Sequence, residues 1–328
     1  MRIYGNIMLQ DEFFRGTIEI KDGILENVWK KRKEPFDFKG TVIPTFINMH
    51  THIGDFLCQE EPRGTLEEIV GPGGFKYKVL RNRSRVYRGM RRGMKIMESE
   101  GISHFVDFRE GGKEGIDLLI EASRGMKITP VILGRIKDER IHGIGLSSIS
   151  DYSWDFLMDM SDWAKRKNKL FAIHFSERIR EDVEKVLSLN PMFVIHALQC
   201  TDGDLIKLKE KEIAVVVTPR ANMFFGSVVN IPRLLKFGLR VALGTDNGMI
   251  SLPSIFREME AAYKISKLFG GIPPLEILKM ATIYPRKILG IRDNVEGEIV
   301  RLILFKRYMS SYEIVNKSSF RDIRKIIL

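Results

Sequence analysis

The sequence predicts an α/β chain built as a (β/α)8 TIM-type barrel, with a small composite β-sandwich assembled from both termini. Three observations lead there. Eight short apolar runs recur from residue 42 onward, amphipathic segments separate them, and four of the six histidines fall where such runs end. A chain of 328 residues is long for one domain, but barrels of about 250 residues fold as a unit.

Residues 1–41 alternate polar and apolar positions in pieces at 2–8, 16–20 and 24–28, with a turn at Lys21-Asp22-Gly23. Antiparallel strands have that pattern. The barrel runs follow at 42–50, 102–108, 130–134, 143–148, 170–174, 192–196, 214–218 and 241–246. Their near-continuous Val, Ile, Leu and Phe content suits parallel strands buried on both faces. Helical periodicity fills the gaps at 85–99, 113–125, 154–167, 181–188, 202–211 and 253–268. Gly143-Ile144-Gly145 lacks the third glycine of a dinucleotide-binding turn, which argues against an open doubly wound sheet. Residues 298–305 read as one or two strands, and 318–328 as a short helix or frayed tail. The expected organisation is residues 1–41 plus 295–328 as the small β unit and 42–294 as the inserted barrel.

Hydrophobic content of 44% and charged content of 29% are ordinary for a soluble globular protein. No stretch reaches the roughly 18 consecutive apolar residues of a membrane helix, and no secretory apolar region follows Met1. Cys58 and Cys200 make no disulfide framework. A cytoplasmic setting without membrane association is expected. Gln occurs only at positions 10, 59 and 199 while Lys, Arg, Glu and Ile abound, the composition of a protein from a hot environment.

The net charge of +11 leaves an anionic small-molecule substrate or a nucleic acid as partners to weigh. Between residues 76 and 95 lie Lys76, Lys78, Arg81, Arg83, Arg85, Arg88, Arg91, Arg92 and Lys95, with no acidic residue among them. Only Tyr77 and Tyr87 interleave, too few aromatic platforms for RNA. A solvated helix face is the simpler reading. Gly71-Pro72-Gly73-Gly74 just before it reads as a mobile loop or lid.

His50 and His52 stand two apart at the end of the first barrel run, so both rings face the same side. His174 ends the fifth run, His196 the sixth and Asp246 the eighth. In such barrels the C-terminal strand ends build the active site. Imidazoles with a carboxylate suit zinc or another late divalent metal and leave a position for water. A lone histidine is more often a satisfied polar group, which is the reading given to His104 and His142.

These residues carry a resemblance. Val42-Ile43-Pro44-Thr45-Phe46-Ile47-Asn48-Met49-His50-Thr51-His52 resembles the opening motif of the amidohydrolase superfamily. Phe171-Ala172-Ile173-His174-Phe175-Ser176-Glu177 is similar to its fifth-strand His-x-x-Glu, in the version of the cytosine deaminase and chlorohydrolase branch. Val194-Ile195-His196-Ala197 resembles the sixth-strand motif. Thr218-Pro219-Arg220-Ala221-Asn222 is similar to Cys-Pro-x-Ser-Asn, and Ala242-Leu243-Gly244-Thr245-Asp246-Asn247 to the eighth-strand Leu-Gly-Thr-Asp. Two positions depart from the pattern: Thr45 replaces a usual glycine, and Thr218 a usual cysteine.

The resemblance implies one divalent metal, zinc with iron or manganese as alternatives, held by His50, His52, His174 and Asp246. Two-metal members carry a bridging lysine at the third or fourth strand; here the fourth run ends Gly145-Leu146-Ser147-Ser148, and Lys137 lies past the third. Glu177, His196 and Asp246 are the implied catalytic residues. Glu177 would carry a proton, His196 orient the attacking water, and Asp246 accept its proton. The implied reaction is attack of metal-bound hydroxide on a C–N carbon, deaminating a small cyclic amidine of nucleobase, nucleoside or pterin type. An amide or carbon–halogen hydrolase using the same site, and a non-catalytic RNA- or ligand-binding protein on the same fold, are the alternatives. Arg109, Gln199, Arg220 and Asn222 follow strand ends and are candidate substrate contacts, with Glu110 and Arg135 at the same rim. A homo-oligomer is in keeping with the resemblance.

Overall fold

Two sheets organise the chain in the computed structural model, which describes residues 1–328. The first strands are β1 (Arg2–Leu9), β2 (Glu12–Lys21) and β3 (Ile24–Trp29), an antiparallel meander. Next, β4 (Phe38–Pro44) lies parallel to β1.

The barrel strands are β5 (Phe46–His52), β6 (Ile102–Arg109), β7 (Thr129–Gly134), β8 (Gly143–Leu146), β9 (Leu170–Phe175), β10 (Phe193–His196), β11 (Ala214–Val217) and β12 (Val241–Leu243). Each pairs in parallel with the next in chain order. The two-residue β13 (Asp246–Asn247) then pairs with β5, Asp246 opposite Thr51, and closes the ring. Thus β12 and β13 are two pieces of one eighth strand.

The apolar runs bury both faces, and the two faces feed different cores. Ala214 and Val216 of β11 join Ile47, Met49, Phe108 and Ile195 inside the barrel. Their neighbours Val215 and Val217 point outward into a cluster of 58 residues shared with the surrounding helices. Ridges of Met90, Met94 and Met97 on the helix Arg83–Ser99 belong to that outer layer. Alternation of this kind, with no polar face left over, is what makes a strand read as a continuous apolar run.

The C-terminal strands β14 (Leu302–Phe305) and β15 (Ile323–Ile327) complete a six-stranded sheet in the order β15-β14-β4-β1-β2-β3. One face carries Ile3, Ile7, Leu9, Ile18, Ile20, Leu25, Val42, Leu302 and Leu304 as a core of its own. From the other face Met8, Ile43, Ile303 and Phe305 pack into the outer layer of the barrel.

Two expectations need correction. The run at 42–50 is not one strand: Val42 to Pro44 pair with β1 and β14, and the barrel begins at Phe46. The break is Thr45, whose N–H donates to Arg301 O at 2.9 Å. Buried Arg286 donates to Thr45 O at 2.7 Å and to Thr45 Oγ1 at 2.8 Å, and Thr45 Oγ1 donates to Ser103 Oγ at 2.8 Å. A threonine here gives the junction a hydroxyl that glycine would not. Second, 318–328 is not a tail: a single 3-10 turn at Phe320–Asp322 leads into a strand. Its last residues form β15, antiparallel to β14. The helix Ser311–Lys317, capped by Ser310, stands where no element was expected.

Candidate active site

The eighth strand breaks where it meets the first. Gly244 passes so close to β5 that a Cβ on it would lie 2.6 Å from His50 Cβ. Asn48 pins the far side of the break, accepting from Thr245 N at 3.1 Å and donating to Thr245 Oγ1 at 2.7 Å. Asp246 then opens β13 with φ of 59°, and His196 ends β10 with φ of 75°. Left-handed conformations at non-glycine residues cost on the order of 1–3 kcal/mol each. Both occur where a side chain must turn over the barrel mouth.

His50, His52 and His174 converge there, with one ring nitrogen of each within 4.8 Å of the others. Asp246 Oδ1 stands 3.4 Å from His50 Nε2 and 3.6 Å from His52 Nε2. Tautomers are set from behind. His52 Nδ1 lies 3.1 Å from Phe108 O, and His174 Nδ1 2.9 Å from Leu146 O, leaving Nε2 of each for the site. His50 is fully buried, and neither of its ring nitrogens has a hydrogen-bond partner. An imidazole left so is anomalous for a folded protein. A divalent cation fits: three neutral imidazoles and a carboxylate are a zinc-type donor set. Burial pushes His50 and His174 below the ordinary imidazole range, so both are neutral donors. Burial would raise the Asp246 carboxyl, yet the surrounding histidines hold it well below the usual range.

Glu177 and His196 face each other, Oε1 to Nε2, at 3.3 Å. Asn222 Nδ2 donates to His196 Nδ1 at 3.1 Å, with Thr218 Oγ1 at 3.3 Å. The residue that replaces the usual cysteine therefore touches the sixth-strand histidine. Burial pushes His196 down to about 3 and, with the charges of Asp246 and Glu181, pushes Glu177 up to about 8. Glu181 accepts from Ser176 N at 2.7 Å and from Ser148 Oγ, tying the loops after β8 and β9 together.

These groups floor a cavity of about 480 Å³ whose walls include Tyr77, Arg135, Tyr152, Ile179 and Phe225. Gly71 and Pro72 of the glycine-rich segment line it too, beside the short helix Leu66–Val70. A neighbouring space of about 610 Å³ shares Glu177, Arg178 and Phe225 and extends to Asn222 and Phe224. Enclosures of this size suit a small ligand.

Three rim residues are not in the site. Arg109 is buried below it, held by Asp107 at 3.2 Å and Glu110 at 2.8 Å. Arg220 is spent on Glu258 at 2.5 Å and Leu252 O at 2.7 Å. Gln199 is exposed and lines neither space. Asn222 reaches the site through His196. His104 bonds to Ser103, and His142 Nδ1 accepts from Ile132 N at 3.0 Å, both away from the mouth. Lys137 pairs with Asp159 at 2.6 Å on the outside.

The basic segment divides. Lys76 is buried against Glu110, Arg85 donates to Leu57 O at 2.9 Å and Arg91 to Ala122 O at 3.0 Å, while Lys78, Arg81 and Arg88 are exposed. The sequence places Glu110 at the rim and Lys76 in the basic segment, but does not predict their pairing beneath the site, and Glu181 is not expected there at all. The available signal was an Arg109-Glu110 charge pair at the very end of a buried strand.

Residues 41–299 match the model of the amidohydrolase family. An uncharacterized protein of Methanocaldococcus jannaschii is 37% identical over 85% of this chain and 82% of its own length. The 5-methylthioadenosine/S-adenosylhomocysteine deaminase of Pyrococcus furiosus is 26% identical over 92% of this chain and 84% of its own. Among solved structures, Helicobacter pylori aminofutalosine deaminase in complex with methylthio-coformycin superposes with a TM-score of 0.79 at 14% identity, covering 99% of this chain and 98% of that one.

Proposed function

The chain belongs to the amidohydrolase family, and we propose that it is a single-metal aminohydrolase deaminating a small cyclic amidine of nucleobase, nucleoside or pterin type. It is a hydrolase of C–N bonds, and relatives named as deaminases extend over most of its length. The Pyrococcus relatives, named for 5-methylthioadenosine and S-adenosylhomocysteine, favour a purine nucleoside within that class. Support for one metal is the absence of a lysine at the ends of β7 and β8, which finish in Gly134 and Leu146.

His50, His52, His174 and Asp246 would hold the metal, which supplies Lewis-acid activation of water. The observation that carries the reading is Glu177, a carboxyl on the cavity wall 3.3 Å from His196 and neutral at pH 7 in the metal-free chain. A neutral carboxyl can donate to a ring nitrogen as water attacks the adjacent amidine carbon. Its carboxylate then takes a proton from the attacking water. Asp246 accepts the second water proton and returns it to the leaving amino group. The C–N bond breaks, ammonia departs and a carbonyl remains. His196, pinned through Nδ1 by Asn222, presents Nε2–H toward the developing oxyanion.

Metal analysis of the purified protein beside His52→Ala, followed by ammonia release from a panel of cyclic amidines, tests this. About one zinc or iron per chain, lost in the variant, is expected. Glu177→Gln should keep the metal and lose on the order of 10²–10⁴-fold in kcat. Absence of metal after reconstitution, or no ammonia from any compound, would overturn the reading.

A further inference from the structure

Glu110 has no part in the reaction above, yet it is the most heavily paired carboxylate beside the site. Its Oε1 lies 2.5 Å from Lys76 Nζ and 2.6 Å from His52 Nδ1, and its Oε2 2.8 Å from Arg109 Nη2. Arg135 Nη2 is 3.7 Å away. The side chains of Glu110 and Lys76 are 2% and 3% exposed. Buried ions of this kind do little for stability, because desolvation offsets most of their attraction. Their position against one imidazole is the informative part.

His174 shows what orientation alone requires. The Leu146 carbonyl fixes its tautomer, and no carboxylate stands at its Nδ1. His52 has the equivalent carbonyl from Phe108. Glu110 is therefore surplus to the tautomer, and what it adds behind His52 is negative charge. Lys76, on the same carboxylate oxygen, offsets that charge. A carboxylate behind a ligating histidine raises its basicity as a donor.

We propose that Glu110 is a positioning residue that strengthens the hold of His52 on a divalent metal, and that Lys76 is the counter-ion that moderates it. This rests on His52 being a ligand. The pair makes the metal affinity adjustable from outside the ligand set, and the two charges act in opposite directions.

Zinc affinity and release rate are measured by competition with a chromogenic chelator on the parent, Glu110→Gln, Lys76→Met and the double variant. Thermal unfolding of the stripped proteins is followed in parallel. Glu110→Gln should weaken zinc binding roughly 10- to 100-fold. Lys76→Met should tighten it several-fold or more. The double variant, which removes the Lys76–Glu110 charges together and leaves Arg109 on Asp107 and Arg135 on the Tyr77 hydroxyl, should bind as weakly as Glu110→Gln while unfolding closer to the parent than either single variant. Affinity within twofold of the parent for Glu110→Gln or the double variant would overturn the proposal. So would loosening by Lys76→Met as large as that by Glu110→Gln, the result for a plain structural brace. A parent that binds no zinc, measured first, would sink the metal reading itself and with it this one.

Discussion

Glu177 and His196 owe their protonation states to opposite consequences of the same burial. Removing water disfavours whichever form is charged, so the carboxyl rises to about 8 and the imidazole falls to about 3. Near neutral pH both are uncharged, the state in which one donates to a ring nitrogen and the other to an oxyanion. A carboxyl whose folded value is raised stabilises the fold fully below its ordinary value of 4.5 and loses that contribution as pH climbs through about 8. Metal-stripped parent should therefore match Glu177→Gln near pH 4.5 and fall behind it by pH 9. The gap should be on the order of 2–4 kcal/mol in urea unfolding, reduced from the full shift because the side chain keeps 21% exposure. A gap that stays constant with pH would contradict it. Asn222 supplies a second test at this scale. Asn222→Ala removes the donor that holds His196 Nδ1, so kcat should drop roughly 10- to 100-fold at unchanged metal content. Metal analysis beside steady-state kinetics checks both halves.

At the scale of elements, the eighth strand shows how backbone packing sets the ligand geometry. Gly244 leaves no room for a methyl group against His50. Gly244→Ala should lower bound metal well below one per chain with the far-UV circular dichroism unchanged, because the strand can retreat only by moving His50. The barrel was legible in the sequence because its parallel strands are largely apolar on both faces, and β5, β9 and the eighth strand carry their candidate ligands at one end. Val215 and Val216 point opposite ways, yet neither meets water. The junction at Thr45 was not legible, since the residues before and after it are equally apolar and only partner strands distinguish two sheets. The strand β15, with Arg324 and Lys325 exposed between isoleucines, has the basic edge character that also suits a tail. Candidate ligands could be read from strand ends, but not which rim side chains would turn inward. Arg109 and Arg220 satisfied the same positional rule and were drawn down to buried carboxylates instead.

For the whole molecule the question is how barrel and terminal sheet are held as one body. Arg286 is buried at their joint. It donates to Thr45 O at 2.7 Å and Thr282 O at 2.8 Å, and pairs with Asp293 at 2.7 Å. Asp293 in turn is 3.6 Å from Arg301, just ahead of β14. Removing the guanidinium leaves buried Asp293 only the longer Arg301 contact and the Asn294 amide, and strands two carbonyls, so Arg286→Met should cost about 3–5 kcal/mol. Adding Asp293→Asn should recover part of that, since a buried charge that has lost its nearest partner is then gone. The barrel ring is closed by its own ladder from β13 to β5 and does not pass through this joint. The folded fraction of Arg286→Met should therefore bind metal as the parent does, at a lower unfolding temperature. Loss of metal in step with stability would instead place the joint in mechanical series with His50, which follows Thr45 along β5.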